Sequence, residues 1–167
     1  MKIAIIGAGN VGGALGTGWA RAGHSIIFGV RDVNKPGLKD LCGQIGAAAS
    51  SPADAARQGD VVVLALPWNV AERAVKALGD LKDKVVIDSM NPLAMKDGAL
   101  GLERGYNTSG AEAVAAWLPG AKVVKTFNQV GAEMMMAGER FATRPVMFLA
   151  GDDDCAKSTV AELVADL

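Results

Sequence analysis

Directly behind the aliphatic run Ile3–Ile6 stands Gly7-Ala8-Gly9-Asn10-Val11-Gly12, followed by Gly13 and Gly16. A G-x-G-x-x-G array entered from a strand and left through a helix is the arrangement that seats a dinucleotide pyrophosphate. Gly7 allows the tight turn, Gly9 lets the main chain approach the phosphates without a Cβ in the way, and Gly12 lets the next helix close on the strand. That helix turns its unpaired N–H groups and partial positive charge toward the anion. Gly7, Gly9, Asn10, Val11 and Gly12 are therefore the expected phosphate-side contacts. A merely tight turn would account for one glycine, not for three at this spacing. No Gly-Lys-Ser/Thr follows, which excludes a P-loop, and no G-x-S-x-G occurs, which excludes a hydrolase elbow.

The end of the second strand, "SIIFGVRDVNK", bears on which dinucleotide is held. A carboxylate there accepts from a ribose 2′-hydroxyl, whereas an arginine takes a 2′-phosphate. Asp32 lies near the ~20-residue spacing of a ribose acid, so an NAD site stays open. Arg31 and Lys35 can converge on a phosphate and favour NADP(H). The plain alternative is a solvated charged turn.

"LALPWN" and "IDSMNP" end two further strands, so Ala65, Leu66, Pro67, Asn91 and Pro92 are expected along the nicotinamide half. Trp68, Asn128 in "KTFNQVG", and Met135 between Met134 and Met136 are the expected acceptor-side residues. Loop termination, turn capping and core filling are their bland alternatives. Acid–base candidates are scarce. His24 reads as a packing or surface residue, and Asp152, Asp153 and Asp154 read as helix cap and dipole partners. No residue is assigned a catalytic or metal-ligating role. Hydride transfer between nicotinamide C4 and a flavin-like ring suits such a site, because the cofactors carry the reactivity and the protein supplies placement. Alcohol oxidation would ask for a base.

The elements that must position these residues follow from the pattern. Ile3–Ile6, Ser25–Val30, Val61–Leu66, Val85–Asp88, Val123–Phe127 and Val146–Ala150 are short Val- and Ile-rich runs and read as buried parallel strands. Val11–Ala22, Gly37–Gln44, Pro52–Gln58, Val70–Leu78, Ala111–Leu118 and Asp154–Asp166 read as helices. Ser51-Pro52 and Ser109 with Glu112 mark two helix starts. The alternation predicts an α/β fold with a doubly wound parallel sheet, whose ligand lies beyond the carboxyl ends of the strands. The loops after Ile6, Val30, Leu66, Asp88 and Phe127 should then carry function. Residues 1–167 are expected to form one dinucleotide-binding domain that lacks a natural C-terminal continuation.

Composition excludes several classes. The 167 residues are half hydrophobic, with a formal net charge of −1 and no basic run, so a nucleic-acid partner is not expected. Cys42, Cys155 and the single histidine offer neither metal-ligand spacing nor a disulfide framework, which points to a reducing cytoplasm. The first apolar run is too short for a signal peptide or a membrane span. The expected partner is a small-molecule redox acceptor.

Taken in order, "GAGNVGGALG", "GHSIIFGVR", "DVVVLALPW", "VVIDSMNP", "NTSGAEAVAAWLPGAKVVKTFN" and "PVMFLAGDD" resemble the F420-dependent NADP oxidoreductases over nearly the whole chain. The same pattern appears in the reductase domain of the STEAP metalloreductases. The resemblance implies a Rossmann-type NADPH site with Arg31 on the 2′-phosphate and the "LPW" loop near the nicotinamide. It also implies hydride exchange with the 5-deazaflavin F420, or with a flavin in the metalloreductase branch, and in many members a homodimer. Some F420 reductases have a serine before the arginine and one more residue in the glycine loop; here Val30 stands before Arg31. "FNQVGAEMMM" is closer to the metalloreductase branch, which leaves the acceptor open between F420 and a flavin. Two other readings stand beside this one. They are an NADP-dependent dehydrogenase of a small substrate and a non-catalytic NADP(H)-sensing module.

Overall fold

Runs such as Ile3–Ile6, Val61–Leu64 and Val85–Ile87 carry no alternating polar residues, so they need cover on both faces, the condition of a strand inside a parallel sheet. The computed structural model, which describes residues 1–135, 142–143 and 145–167, has them there. The strands are β1 (Lys2–Ile6), β2 (Ser25–Gly29), β3 (Ala48–Ser50), β4 (Val61–Leu64), β5 (Val85–Asp88), β6 (Leu93–Lys96), β7 (Ala99–Leu102) and β8 (Lys122–Lys125). The helices are α1 (Asn10–Arg21), α2 (Pro36–Ile45), α3 (Pro52–Gln58), α4 (Trp68–Lys76), α5 (Gly110–Trp117) and α6 (Asp154–Ala165). Six strands make one all-parallel sheet in the order β3-β2-β1-β4-β5-β8, while β6 and β7 pair as a separate hairpin. The chain moves outward from β1 to β3 and then returns to the other side of β1 at β4. Such a reversal parts the loops at the carboxyl ends and opens a crevice between them.

Strand alternation divides the core into two layers. Ile3, Ile5, Phe28, Val63, Ile87 and Val124 pack with Leu15 and Trp19 of α1 and with Val160 and Leu163 of α6. Ala4, Ile6, Val62, Leu64 and Val86 pack with Ala55, Ala71, Val75 and Val114 of α3, α4 and α5. Trp19 anchors the first layer. It stands edge-on to Phe127 with ring centroids 5.7 Å apart, and its Nε1 donates to the Leu163 carbonyl at 2.8 Å. A buried indole with its N–H satisfied contributes its full apolar area to the core.

The expected helix starts are present. The Ser51 side chain accepts from the Asp54 amide with Pro52 at the first helical position, and Ser109 with Glu112 forms a reciprocal capping box. Asp153 caps α6 by accepting from the Ala156 amide at 2.7 Å, the role read for one of the three consecutive acids.

Other boundaries differ from the sequence reading. β4 stops at Leu64 and β8 at Lys125, each short of the expected end, and Phe127 turns into the left-handed region with φ 63°. Val146–Ala150 is not a strand of the sheet. Only Ala150 pairs, antiparallel, with Lys125, while the Gln129 side-chain amide takes both main-chain groups of Phe148. Two elements were unforeseen: β3, whose Ala-Ala-Ser carries little β signal, and the β6–β7 hairpin. That hairpin turns on Asp97-Gly98, with φ 50° and 79°, the positive pair a two-residue turn requires. Met136 lies outside the described residues. Among the described residues, no helix is long and apolar enough to cross a membrane.

Candidate functional site

The glycine loop sits at the reversal between β1 and β4. Gly7 has φ 105°, and its N–H donates to the Gly29 carbonyl at 3.0 Å. A Cβ at Gly7 would run into the carbonyl oxygen of Ala65, and one at Gly12 into the carbonyl oxygen of Gly7. These two glycines are required by close main-chain approach. Gly9 differs, because a Cβ there would meet nothing within 4 Å. It is the N-cap of α1, and neither a capping side chain nor an acidic residue occupies the first turn. The helix therefore presents its N-terminal amides and dipole uncompensated, beside the open space at Gly9.

The loop after β4 closes on this turn. The Ala65 amide donates to the Ile6 carbonyl at 3.0 Å, which brings Ala65, Leu66 and Pro67 against the glycine loop. Pro67 then caps α4, and Trp68 is its first residue. Trp68 is only 7% exposed and packs on Trp117 with centroids 5.3 Å apart. Its indole belongs to the contact between α4 and α5 rather than to the mouth of the crevice.

At the end of β2, Arg31 and Lys35 are exposed, and neither side chain has a hydrogen-bond or ion-pair partner among the described residues. Asp32 is tied at one oxygen, its Oδ1 accepting from the Asn34 amide at 2.9 Å. Among the described residues the two cations are thus exposed to meet an anion, while one oxygen of the neighbouring carboxylate is held by its own loop.

The far side of the crevice is formed by the ends of β5 and β8. Asn91 and Asn128 meet there, the Asn91 side-chain amide donating to the Asn128 carbonyl at 3.4 Å. Pro92 follows Asn91, and its carbonyl accepts from the Glu103 amide at 2.8 Å, which fastens the hairpin to this loop. Met135 lies elsewhere. It is buried on the α1–α6 side of the sheet, where it lines an apolar cavity with Phe127, Val130, Met134 and Leu167.

One feature of the site escaped the sequence reading. Asp88, the last residue of β5, is fully buried and accepts from Lys125 Nζ at 3.1 Å across the β5–β8 pair. Burial pushes the Asp88 carboxyl up and the Lys125 ammonium down, and the two charges oppose those shifts in each other. The signal was a charge closing each of two apolar runs, "VVID" and "KVVK", and it becomes legible only when the runs are known to be neighbours.

Residues 2–92 match the family model for coenzyme F420-dependent NADP oxidoreductase. The chain is 30% identical to the F420-dependent NADP reductase of Methanothermobacter thermautotrophicus, over 98% of this chain and 75% of that protein. It is 28% identical to the metalloreductase STEAP3 of Rattus norvegicus, matching 97% of this chain but spanning only 31% of that longer protein. The solved structure of a candidate F420-dependent NADP reductase from Arthrobacter sp. FB24 superposes with a TM-score of 0.91 at 30% identity, covering 99% of this chain and 80% of that one.

Proposed function

The chain belongs to the F420-dependent NADP oxidoreductase family, and from that premise we propose that it passes hydride between NADP(H) and a deazaflavin (F420) or flavin ring. The observation that carries the reading is the glycine turn at the β1–β4 reversal, with Gly7 and Gly12 held by main-chain approach and Gly9 facing open space. When bound, NADPH supplies the hydride from nicotinamide C4 and the acceptor ring takes it.

The chain's own residues divide the remaining work. Gly9, Asn10, Val11 and Gly12 offer main-chain N–H groups and the α1 dipole to the pyrophosphate. Arg31 and Lys35 take the 2′-phosphate, supported by their exposure, by the lack of a side-chain partner for either among the described residues, and by the contact of Asp32 Oδ1 with the Asn34 amide. Ala65, Leu66 and Pro67 on one side and Asn91 and Pro92 on the other flank the nicotinamide, with Asn128 toward the acceptor. No proton-transfer residue is needed at the reacting carbon, because a hydride moves as a unit and rate depends on ring placement. A flavin or F420 acceptor, rather than an alcohol, is supported by buried Asp88 and half-buried Lys125, which among the described residues are paired with each other. Free thiols at Cys42 and Cys155 suit a reducing cytoplasm.

Stopped-flow absorbance of NADPH mixed with the protein and, separately, F420, FMN, FAD or a ferric chelate tests the reading. Oxidation with F420 or with a flavin is the expected result and identifies the acceptor. Tight NADPH binding with no oxidation by any of the four would leave a nucleotide-sensing module instead.

A further inference from the structure

We propose that Lys125 is a positioning residue for the nicotinamide end of the site, its ammonium fixing the Met90–Asn91 main chain against Asn128. The proposal rests on the cofactor reading above. Asp88 and Lys125 are register partners on β5 and β8, and strand alternation puts both on the side of Val86. The Lys125 ammonium donates to Asp88 Oδ2 and to the Met90 carbonyl, and Asp88 Oδ1 accepts from the Met90 amide at 2.9 Å. Both main-chain groups of Met90, two residues beyond the last β5 pairing, are therefore taken by this one pair.

The consequence reaches the site in one step. Asn91 follows Met90 and donates to the Asn128 carbonyl, and Asn128 lies three residues beyond Lys125. Lys125, Met90, Asn91 and Asn128 thus close a ring that ties the two loops together. Ser89 extends the tie to β4, its Oγ donating to the Leu64 carbonyl at 2.8 Å. A buried ion pair contributes little net stability compared with apolar side chains of the same volume. What apolar side chains could not supply is the acceptor and the donor that Met90 requires once the sheet has ended.

The test compares Lys125→Arg with the double variant Asp88→Asn, Lys125→Met, which leaves no buried charge unpaired and so keeps the fold. Three quantities are read: the NADPH dissociation constant, the nicotinamide fluorescence of bound NADPH, and the single-turnover rate of NADPH oxidation by whichever of F420, FMN and FAD the stopped-flow test identifies. In the double variant the dissociation constant should stay within about threefold, because the phosphate-side contacts persist. The fluorescence enhancement should be lost and hydride transfer slowed by about tenfold or more, as expected of a ring displaced by a fraction of an ångström. Lys125→Arg, which can span the same two acceptors, should recover both. Lys84→Met serves as the control for losing a half-buried lysine that donates to main-chain carbonyls, since Lys84 Nζ donates to those of Ala56, Arg57 and Gly59 at the opposite end of β5. Unchanged fluorescence in the double variant, or affinity lost as far as rate, would overturn the proposal. If the wild-type protein binds NADPH but none of the four acceptors oxidises it, the functional reading fails alone, and fluorescence still decides the role of Lys125.

Discussion

Asp32 turns its carboxylate back onto the amide of Asn34 at 2.9 Å, closing a small turn immediately after Arg31. The acid at the end of β2 placed to accept from a ribose 2′-hydroxyl thereby has one oxygen engaged, while exposed Arg31 beside it has no partner among the described residues. Arg31→Ala should weaken NADPH binding by ~1.5–3 kcal/mol, the range of a hydrogen bond to a charged group. NADH binding should hardly change. Calorimetric titration with both nucleotides checks this, and equal losses would remove Arg31 from the 2′-phosphate.

The glycines of the loop should separate by experiment. Gly9 has open space where its Cβ would lie, so Gly9→Val should fold normally and fail to bind NADPH. Gly12 has the Gly7 carbonyl there instead, so Gly12→Ala should destabilise the protein itself, by about 1–3 kcal/mol for an overpacked site. Urea denaturation and a nucleotide titration on both variants decide it. Normal NADPH affinity in Gly9→Val would mean that the open space is not where the pyrophosphate lies.

The parts of this protein that were legible in its sequence are those dictated by short-range rules. The G-x-G-x-x-G turn, the Ser51-Pro52 and Ser109–Glu112 helix starts, and the run of buried strands each depend on residues within a few positions of one another. The Asp97-Gly98 turn, flanked by "LAMK" and "ALGL", obeys a short-range rule of the same kind, yet the hairpin it closes was not among the elements read from the sequence. What could not be read depends on pairing over distance. β3 is three residues of weak propensity held by β2, and the Asp88–Lys125 pair needs the knowledge that β5 and β8 are neighbours. The segment before Ala150 looked like a strand by composition, but it meets the Gln129 side chain where a strand would meet a ladder.

Trp68 and Asn128, alike as strand-end residues in the sequence, should behave differently. Trp68 is buried against Trp117, so Trp68→Ala should cost ~3–5 kcal/mol of stability, as for other large core truncations. Asn128 is only partly buried, and its link to Asn91 runs through its main-chain carbonyl, so Asn128→Ala should leave stability within ~0.5 kcal/mol. Its effect should fall on the single-turnover hydride rate with NADPH affinity retained. Thermal unfolding and rapid-mixing kinetics on the two variants make the comparison, and a stable Trp68→Ala would contradict the packing described.

The cap of α6 should make part of the stability depend on pH. Asp153 accepts from the Ala156 amide and lies 3.2 Å from Lys122 Nζ, and these partners, the amide first, hold its carboxyl below the usual carboxylate range. A group whose folded value is lowered stabilises fully above its unfolded value of ~3.9 and loses that contribution as pH falls through the folded value. Asp153→Asn keeps an oxygen for the Ala156 amide but neither the charge facing Lys122 nor the titration. The variant should therefore be less stable than the wild type at neutral pH, and the gap should close as pH falls below ~4. Asp54, lowered by Arg57 and Ser51, titrates in both proteins and cancels from the difference. Urea midpoints for the two proteins from pH 7 to about pH 3 supply the measurement. A gap that stays constant across that range would mean that the charge on Asp153 contributes nothing to holding α6.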